Sequence, residues 1–350
     1  MRKLFQKILS VIMSLFVWLG VPFEITNTVT TADEDWGIVD PNHDVPSSDT
    51  EFFLNNPSFW LTYEIKDQKA YITGAKQVWV SWDGWAFRAP DPLVFPETIE
   101  GYPVVSIGGF IGHDKYNDMY YSDFDRRFSS IIIPDTVETV EEEAFMLIDT
   151  DTIFIGKNVK VLENGCFETD NVKLIAGKTV KSIGGFYINN GVFCCYENSE
   201  LHKYVTKKNR SDWSIVLIDE SHLTSKTATI DEELNVRGLP SGLTKETVKD
   251  YVSVDGDAIM EISDDVITTG TTIELINREY GLIDNTYTVI IDGDINGDGA
   301  SGAADDFTAM RDIITGSDSE YSDINKKAAD LNGDGIVNST DLTIMKSLLN

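Results

Sequence analysis

The chain has 350 residues, enough for two or three domains, and a formal net charge of −30. So acidic a chain is poorly suited to binding nucleic acid or an anionic membrane, which both attract basic surfaces. Its 42% hydrophobic and 11% aromatic residues suffice for folded cores, so the charge belongs to the surface and does not indicate disorder. Three cysteines, Cys166, Cys194 and Cys195, give no disulfide framework, and Cys166 is expected to be a small core residue.

The N-terminal residues 1–32 have the features of a secretory signal peptide. Arg2, Lys3 and Lys7 are followed by an apolar run over residues 8–23 and a small-residue exit near Ala32. An uncleaved anchor is the alternative, but the run is short for a membrane span and no stop-transfer segment follows. Residues 33–57 are acidic, without a clear period, and are expected to form a linker.

Residues 58–220 are repetitive. The segment from Ser106 to Phe110 recurs letter for letter from Ser182 to Phe186, and related segments begin at Ile131, Ile153 and Leu174. A period near 22 residues with one short β-branched strand per turn predicts a leucine-rich-repeat β-solenoid. Its core is expected to contain Val137, Val140, Phe145 and their equivalents.

The repeat pattern, apolar-x-Ile-Pro-x-x-Val-x-x-Ile-x-x-x-x-Phe, resembles the BspA-like leucine-rich repeats of bacterial surface proteins. Segment 95–107 is similar to that family's first repeat, and segment 197–218 is similar to its closing helix and strand. An insertion at 111–128 departs from the repeat and is expected to bulge from one face. The resemblance implies display or ligand binding, although a fold does not determine function.

An aromatic cluster precedes the repeats. One interpretation is that these aromatic side chains stack on a sugar. The other is that they cap the first repeat, because terminal repeats need capping. The candidate ligand platform consists of Trp79, Trp82 and Trp85.

The central residues 221–291 contain short β-branched runs separated by turn residues such as Gly242 and Gly256. They predict a small β-sandwich-like spacer, with one short helix near residues 244–251.

The C-terminal residues 292–350 contain two loops rich in Asp, Asn and Gly, each followed by an apolar helical stripe. Oxygen donors at loop positions 1, 3, 5, 7, 9 and 12, with glycine at position 6, are typical of a calcium loop. Two solvated turns are the alternative, but the repetition of the pattern favours the metal. The predicted donors are Asp294, Asn296, Asp298, the Ala300 carbonyl, Asp305, Asp306, Asp330, Asn332, Asp334, the Ile336 carbonyl, Asn338 and Asp341.

The first loop departs from the pattern. The two loops start 36 residues apart but their helices align at 35, so one residue is extra before the first helix. The twelfth residue is Asp305, yet the helix alignment favours Asp306 as the closing ligand. Position 9 falls on Gly302, which has no side-chain donor. We therefore expect two Ca²⁺ sites, the first weaker than the second.

A β-like segment before Asp294 and an Asp at position 12 distinguish these loops from an EF-hand, which has an entering helix and a closing Glu. The paired loop-helix pattern resembles the type I dockerin family. The resemblance implies an all-α, calcium-dependent module that binds a cohesin domain of a cellulosomal scaffoldin. Carried over from the family's pattern, the cohesin-binding residues are Ser339, Thr340, Lys346, Ser347, Arg311 and Asp312.

No catalytic motif accompanies the four histidines, His43, His113, His202 and His222, which are expected to lie at the surface. The predicted architecture is therefore multidomain: leucine-rich-repeat solenoid, β-sandwich-like spacer and all-α dockerin. The favoured function is a secreted, non-catalytic binding protein whose repeats hold a carbohydrate or protein ligand. The alternatives are an enzyme acting on plant cell-wall polysaccharide, or a protein-inhibitor or adhesin module.

Overall fold

The structure is a computed structural model that describes residues 50–75, 77–79, 85–87, 90–108, 128–146, 148–317 and 321–348. The expected signal peptide, residues 33–49 of the expected linker, and all but Phe128 of the expected insertion lie outside these ranges. Within the described residues, no helix has the length and apolar character needed to span a membrane.

The first part of the structure, residues 50–218, is called here the paired-sheet domain. It begins with two short helices, α1 (Thr50–Asn55) and α2 (Pro57–Trp60), so residues 50–57 are not the linker that the sequence predicted. Its other helix is α3 (Glu200–Lys208), which has Ser199 as its N-cap. Its strands are β1 (Leu61–Lys66), β2 (Lys69–Ala75), β3 (Gln77–Trp79), β4 (Trp85–Phe87), β5 (Leu93–Val94), β6 (Thr98–Ile99), β7 (Tyr102–Ile107), β8 (Ile131–Ile132), β9 (Thr139–Val140), β10 (Thr152–Phe154), β11 (Val161–Asp170), β12 (Lys173–Ile175), β13 (Ser182–Asn189), β14 (Val192–Cys195) and β15 (Ser214–Leu217).

Two largely parallel sheets make up most of this domain, and β3 and β4 form a separate antiparallel pair. One has the order β1-β2-β7-β9-β11-β13, with β6 paired to β7, and the other has the order β15-β14-β12-β10-β8-β5. From β8 to β14 the chain alternates between the two sheets, strand by strand. Each repeat therefore contributes one strand to each sheet.

The leucine-rich-repeat solenoid predicted from the sequence is wrong. A leucine-rich repeat combines one strand with a helix or 3₁₀ segment in each turn. In this chain the second half of each turn is another strand, and α3 follows only after the last alternation between the sheets. The 22-residue period indicated a repeating unit, but it did not indicate that each unit contains two strands.

The space between the sheets contains the core of the domain. Val137, Val140 and Phe145 are buried there, as the sequence predicted, and so is the unpaired Cys166. Aromatic side chains form a continuous row through this core, with successive ring centroids 4.8–6.3 Å apart. Contacts of this kind stabilise a core beyond simple burial of area. The row consists of Trp60, Phe95, Phe145, Phe167, Phe186, Phe193 and Trp213.

The second part, residues 221–291, is called here the β module. One short 3₁₀ helix (Thr247–Asp250) lies where the sequence predicted a helix. A two-stranded sheet (β16-β19) and a five-stranded sheet (β17-β18-β22-β21-β20) share one apolar core. The strands are β16 (His222–Ser225), β17 (Thr229–Ile230), β18 (Asn235–Arg237), β19 (Val252–Asp255), β20 (Ala258–Ile262), β21 (Thr272–Asn277) and β22 (Ile283–Ile290).

The third part, residues 292–350, is called here the C-terminal module. Its helices are α4 (Ala304–Thr315), α5 (Asp323–Ala329) and α6 (Ser339–Leu348). The prediction of an all-α module is wrong, because the helices are short and are separated by loops that lack regular structure. The described chain as a whole is a mixture of sheets with few helices. A small cluster of Ile295, Ala309, Met310, Ala329 and Met345 forms the core of this module.

Candidate calcium and docking site

The two loops of the C-terminal module share two hydrogen bonds between loop positions 3 and 5. In the first loop the Asn296 amide donates to Asp298 Oδ2 (2.8 Å), and the backbone N–H of Asp298 donates to Asn296 Oδ1 (3.1 Å). In the second loop Asn332 and Asp334 make the same two bonds, at 2.9 Å each. Asx turns of this kind fix the direction of the side-chain oxygens at positions 3 and 5. The repetition predicted from the sequence therefore extends to local geometry.

Each loop is closed by one buried aspartate. Asp341 Oδ1 accepts the backbone N–H of Leu331 and Asn332 (3.0 and 3.2 Å), and its Oδ2 accepts that of Asn338 (2.9 Å). Asp306 makes the equivalent bonds to Ile295, Asn296 and Ala303 (2.8, 3.2 and 3.0 Å).

Asp305, by contrast, is exposed at the start of α4. Asp306 therefore lies in the position equivalent to Asp341, and the extra residue of the first loop falls before it. Equivalence of Ala303 with Asn338 also moves position 9 from Gly302 to Ala303. Alanine, like glycine, has no side-chain oxygen, so position 9 of the first loop still has no side-chain donor, as expected.

Two carboxylates of the first loop, Asp298 and Asp306, have shifted pKa values. Burial raises the pKa of Asp306, although its three backbone N–H bonds act in the opposite direction. The hydrogen bond from Asn296 lowers the pKa of Asp298, which is exposed. A buried carboxyl with a raised pKa gains from a nearby cation, since the cation offsets the loss of hydration of the charged form.

The donor chemistry of both loops fits Ca²⁺. Carboxylate, amide and carbonyl oxygens are hard donors, and the pattern repeats at positions 1, 3, 5, 7 and 12. Within the described ranges, no three Asp, Glu, His or Cys side chains already form a metal cluster. Each loop instead combines carboxylates with an amide and a backbone carbonyl, and its carboxylates accept backbone N–H groups. If a calcium ion binds, Asp294, Asn296, Asp298, Ala300 and Asp306 would hold it in the first loop, and their equivalents in the second.

The helices that follow the loops present the predicted docking residues. Ser339, Thr340, Lys346 and Ser347 are exposed on or at the start of α6. Arg311 is exposed on α4, where its guanidinium donates to the half-buried Asp312 (3.1 Å). The two helix surfaces therefore differ in charge.

The other candidate residues lie only partly within the described ranges. Strands β3 and β4 place the backbones of Trp79 and Trp85 opposite each other, but their side chains and all of Trp82 lie outside the described parts. His43 and His113 are outside them as well. His202 Nδ1 accepts the backbone N–H of Asn198 (2.9 Å) near the start of α3, and His222 lies in β16.

Paired Asp/Asn loops, each closed by a buried aspartate in the first turn of a helix, define residues 292–350 as a two-repeat loop-helix module with calcium-type donors. The same residues match the family model of the Dockerin type I domain. The match supports calcium binding, docking onto a cohesin, and an extracellular association with a cellulosome. No curated protein and no solved structure matches the chain. The resemblance of residues 58–220 to BspA-like repeats is thus without support from these comparisons.

Proposed function

We propose that the chain is a secreted, non-catalytic binding protein that attaches to a scaffoldin cohesin through its C-terminal module. The dockerin match carries this proposal, together with the two equivalent calcium loops. We propose two calcium sites, of which the second is tighter because Asn338 gives it a side-chain oxygen that Ala303 does not provide. The signal peptide at residues 1–32 provides the export route.

Docking is predicted to depend unequally on the two helices. Replacing the exposed pair by Ser339→Ala/Thr340→Ala should weaken cohesin binding about tenfold, or ~1.4 kcal/mol, because polar contacts to the partner are lost. Arg311→Ala should have a smaller effect, since that guanidinium is already paired with Asp312. Calorimetry with a type I cohesin and the full chain in calcium measures both.

Asp323→Ala, an exposed change at the start of α5, is the control for a general effect of charge. Equal losses from the Ser339/Thr340 pair and from Arg311 would contradict a single preferred orientation. Absence of binding by the unaltered chain to any type I cohesin would overturn the docking proposal.

A depression on the paired-sheet domain is the proposed ligand surface. It measures about 450 Å³ and is lined by Asp149, Glu168, Thr169, Asp170, Tyr187, Asn189 and Arg210. Tyr187 is 56% exposed, and its ring rests on Gly165, where an added Cβ would lie 2.9 Å from the ring. The Cδ2–Cε2 edge of the ring therefore lies against a strand while the side chain remains largely open to solvent.

Polar groups surround this ring. Asn189 donates to Asp170 Oδ1 (2.7 Å) and accepts from Arg210 (3.0 Å), so their side chains form an ordered row. A carbohydrate offers an apolar ring face and many hydroxyl groups, which suits one open aromatic ring with adjacent carboxylate and amide groups. We therefore propose a polysaccharide as the ligand.

Tyr187→Ala is expected to reduce glycan binding at least tenfold, because the stacking surface is lost. The measurement is a glycan array with the full chain, followed by titration of the best ligand. Tyr102→Ala is the matched control, since Tyr102 is 36% exposed on the same domain and does not line the depression. If the array gives no signal and a protein ligand binds the chain instead, the result would favour the interaction-module alternative. Turnover of a polysaccharide would favour the enzyme.

A further inference from the structure

The first calcium loop is in direct contact with the β module. Asp294, its first residue, is fully buried, and the backbone N–H of Thr269 donates to Asp294 Oδ2 at 2.8 Å. Thr269 lies in the turn before β21, outside the residues that match the dockerin model. We infer that Thr269 is a positioning residue for the first calcium loop, so that the calcium affinity of this loop depends on the β module. The inference rests on the proposed function of the loops.

Thr269 is itself held firmly against the segment that leads into the loop. Its hydroxyl donates to the carbonyl of Ile291 (3.2 Å) and accepts the N–H of Ile291 (3.1 Å). The neighbouring residues Gly270 and Thr271 make backbone hydrogen bonds to Val289 (2.9 and 2.8 Å). Thr269 and Ile291 are buried, so these bonds are shielded from water. The turn and the end of the β22 segment thus form one rigid support beneath Asp294.

The second loop has no equivalent support within the described residues. The carboxylate of Asp330 accepts backbone N–H groups of its own loop, from Gly333, Asp334 and Gly335 (2.9, 3.1 and 2.8 Å). Asp330 is also only half-buried, whereas Asp294 is inaccessible. Two loops of the same sequence pattern therefore differ in what orients their first ligand.

The glycines at loop positions 4 and 6 also differ between the two loops in how closely other residues approach them. A Cβ on Gly297 would lie 3.1 Å from the Thr269 carbonyl oxygen, and one on Gly299 would lie 3.1 Å from the Thr268 side chain. A Cβ on the equivalent residues of the second loop, Gly333 and Gly335, would meet nothing within 4 Å. The first loop is thus seated on the β module along positions 4 and 6.

Groups that orient a metal ligand without touching the metal commonly change its affinity by about tenfold or more. The same reasoning applies to Asp294, whose carboxylate is fixed by Thr269 on one oxygen and by Gly299 N–H (3.1 Å) on the other. Without the support from Thr269, the Asp294 side chain can adopt other rotamers. Binding of Ca²⁺ must then restrict that side chain to one rotamer, which weakens the binding. The β module and the first calcium site are thereby linked energetically.

Calorimetric calcium titration of the full chain tests this with one loop disabled at a time. Thr269→Val keeps the backbone N–H but removes the hydroxyl that ties this turn to Ile291. In an Asp334→Ala background, which leaves the first loop, it should therefore loosen the support of Asp294 and weaken calcium binding about tenfold. In an Asp298→Ala background, which leaves the second loop, the same substitution should change nothing. Thr269→Ser keeps the hydroxyl, while the backbone N–H is common to Thr, Val and Ser, so this variant should retain the original affinity in both backgrounds.

An equal loss in both backgrounds, or no loss in the first, would overturn the inference. If neither background binds calcium, the proposed calcium-binding function of the loops fails, and with it the positioning role of Thr269. Should Thr269→Val prevent folding, Gly297→Ala and Gly333→Ala provide a matched pair with similar positive φ values of 76° and 72°. Gly297→Ala must then weaken calcium binding more than Gly333→Ala, and equal effects would reject the role of the β module.

Discussion

Removal of calcium is expected to unfold the C-terminal module while both upstream cores remain folded. The module has a separate and small core, and three of its loop aspartates, Asp294, Asp306 and Asp341, are fully buried. Charged carboxylates in such positions repel one another and lose hydration unless a cation compensates them. At a calcium concentration one thousandfold above Kd, each site contributes about 4 kcal/mol of stability. A segment of roughly 60 residues has little margin without that contribution.

Far-UV circular dichroism of the full chain measures this effect directly. Chelation should abolish the helical signal of α4, α5 and α6, and added calcium should restore it. Magnesium at the same concentration is the control for ionic strength, because it prefers octahedral geometry and retains several waters. A helical signal that is the same with and without calcium would contradict the prediction.

Single substitutions refine the same test. Asp306→Ala and Asp341→Ala each remove a fully buried carboxylate that accepts three backbone N–H groups, so both should lower calcium affinity and stability severely. Asp305→Ala should be nearly neutral, because that side chain is exposed. The sequence alone placed both Asp305 and Asp306 among the predicted donors, and the geometry separates them. A larger loss from Asp305→Ala than from Asp306→Ala would contradict this register.

The sequence predicted local features well where a short pattern determines them. The repeat residues Val137, Val140 and Phe145 are core residues, and strands such as Ala258–Ile262 and Thr272–Asn277 lie within residues 221–291, where short β-branched runs were predicted. The alignment of the two loop-helix repeats also placed Asp306 in register with Asp341, and the two side chains accept equivalent backbone hydrogen bonds. The role of Asp306 as a calcium ligand stays a prediction. These features depend on residues close together in the chain.

Long-range features escaped prediction for the opposite reason. Short apolar strands show the same sequence pattern whether they all join one sheet or alternate between two sheets. The paired-sheet arrangement therefore left no distinct signal in the sequence. Thr269 is an ordinary turn residue in the sequence, and its contact with Asp294 spans 25 positions. Asp284, in the run Ile-Asp-Asn-Thr-Tyr, resembles a surface residue of a strand, although the structure buries it completely.

Asp284 joins the β module to the paired-sheet domain. Its carboxylate accepts the Tyr196 hydroxyl (2.6 Å), the backbone N–H of Ser221 (3.1 Å) and the Asn277 amide (3.4 Å). Lys178 of the paired-sheet domain donates to the Asp284 carbonyl (2.7 Å) and also pairs with Glu220. Apolar side chains, among them Ile175, Cys194 and Leu282, surround this network. The junction is therefore a buried polar site that is stable only while its partners are complete.

The acidity of Tyr196 reflects this environment. Burial raises the pKa of its phenol well above 10.0, and the hydrogen bond to Asp284 raises it further. The unfolded chain ionises this tyrosine near pH 10 whereas the folded chain keeps it protonated. Its contribution to stability is thus complete below pH 10 and is lost as the pH rises above that value. Tyr196→Phe should make the alkaline decline in the free energy of unfolding less steep.

Asp284→Ala is predicted to destabilise the chain by roughly 3 kcal/mol or more, since each buried donor left without an acceptor costs about 1–3 kcal/mol. Tyr196→Phe removes one donor and keeps the other two bonds, so a smaller loss of about 1.5–3 kcal/mol is expected. Urea unfolding at neutral pH in calcium, monitored by tryptophan fluorescence, measures both. Asp257→Ala is the matched control, because that exposed carboxylate pairs with Arg278 at the surface, where such pairs contribute about 0–1 kcal/mol. A loss from Asp284→Ala no larger than that from Asp257→Ala would show that the junction contributes little to stability.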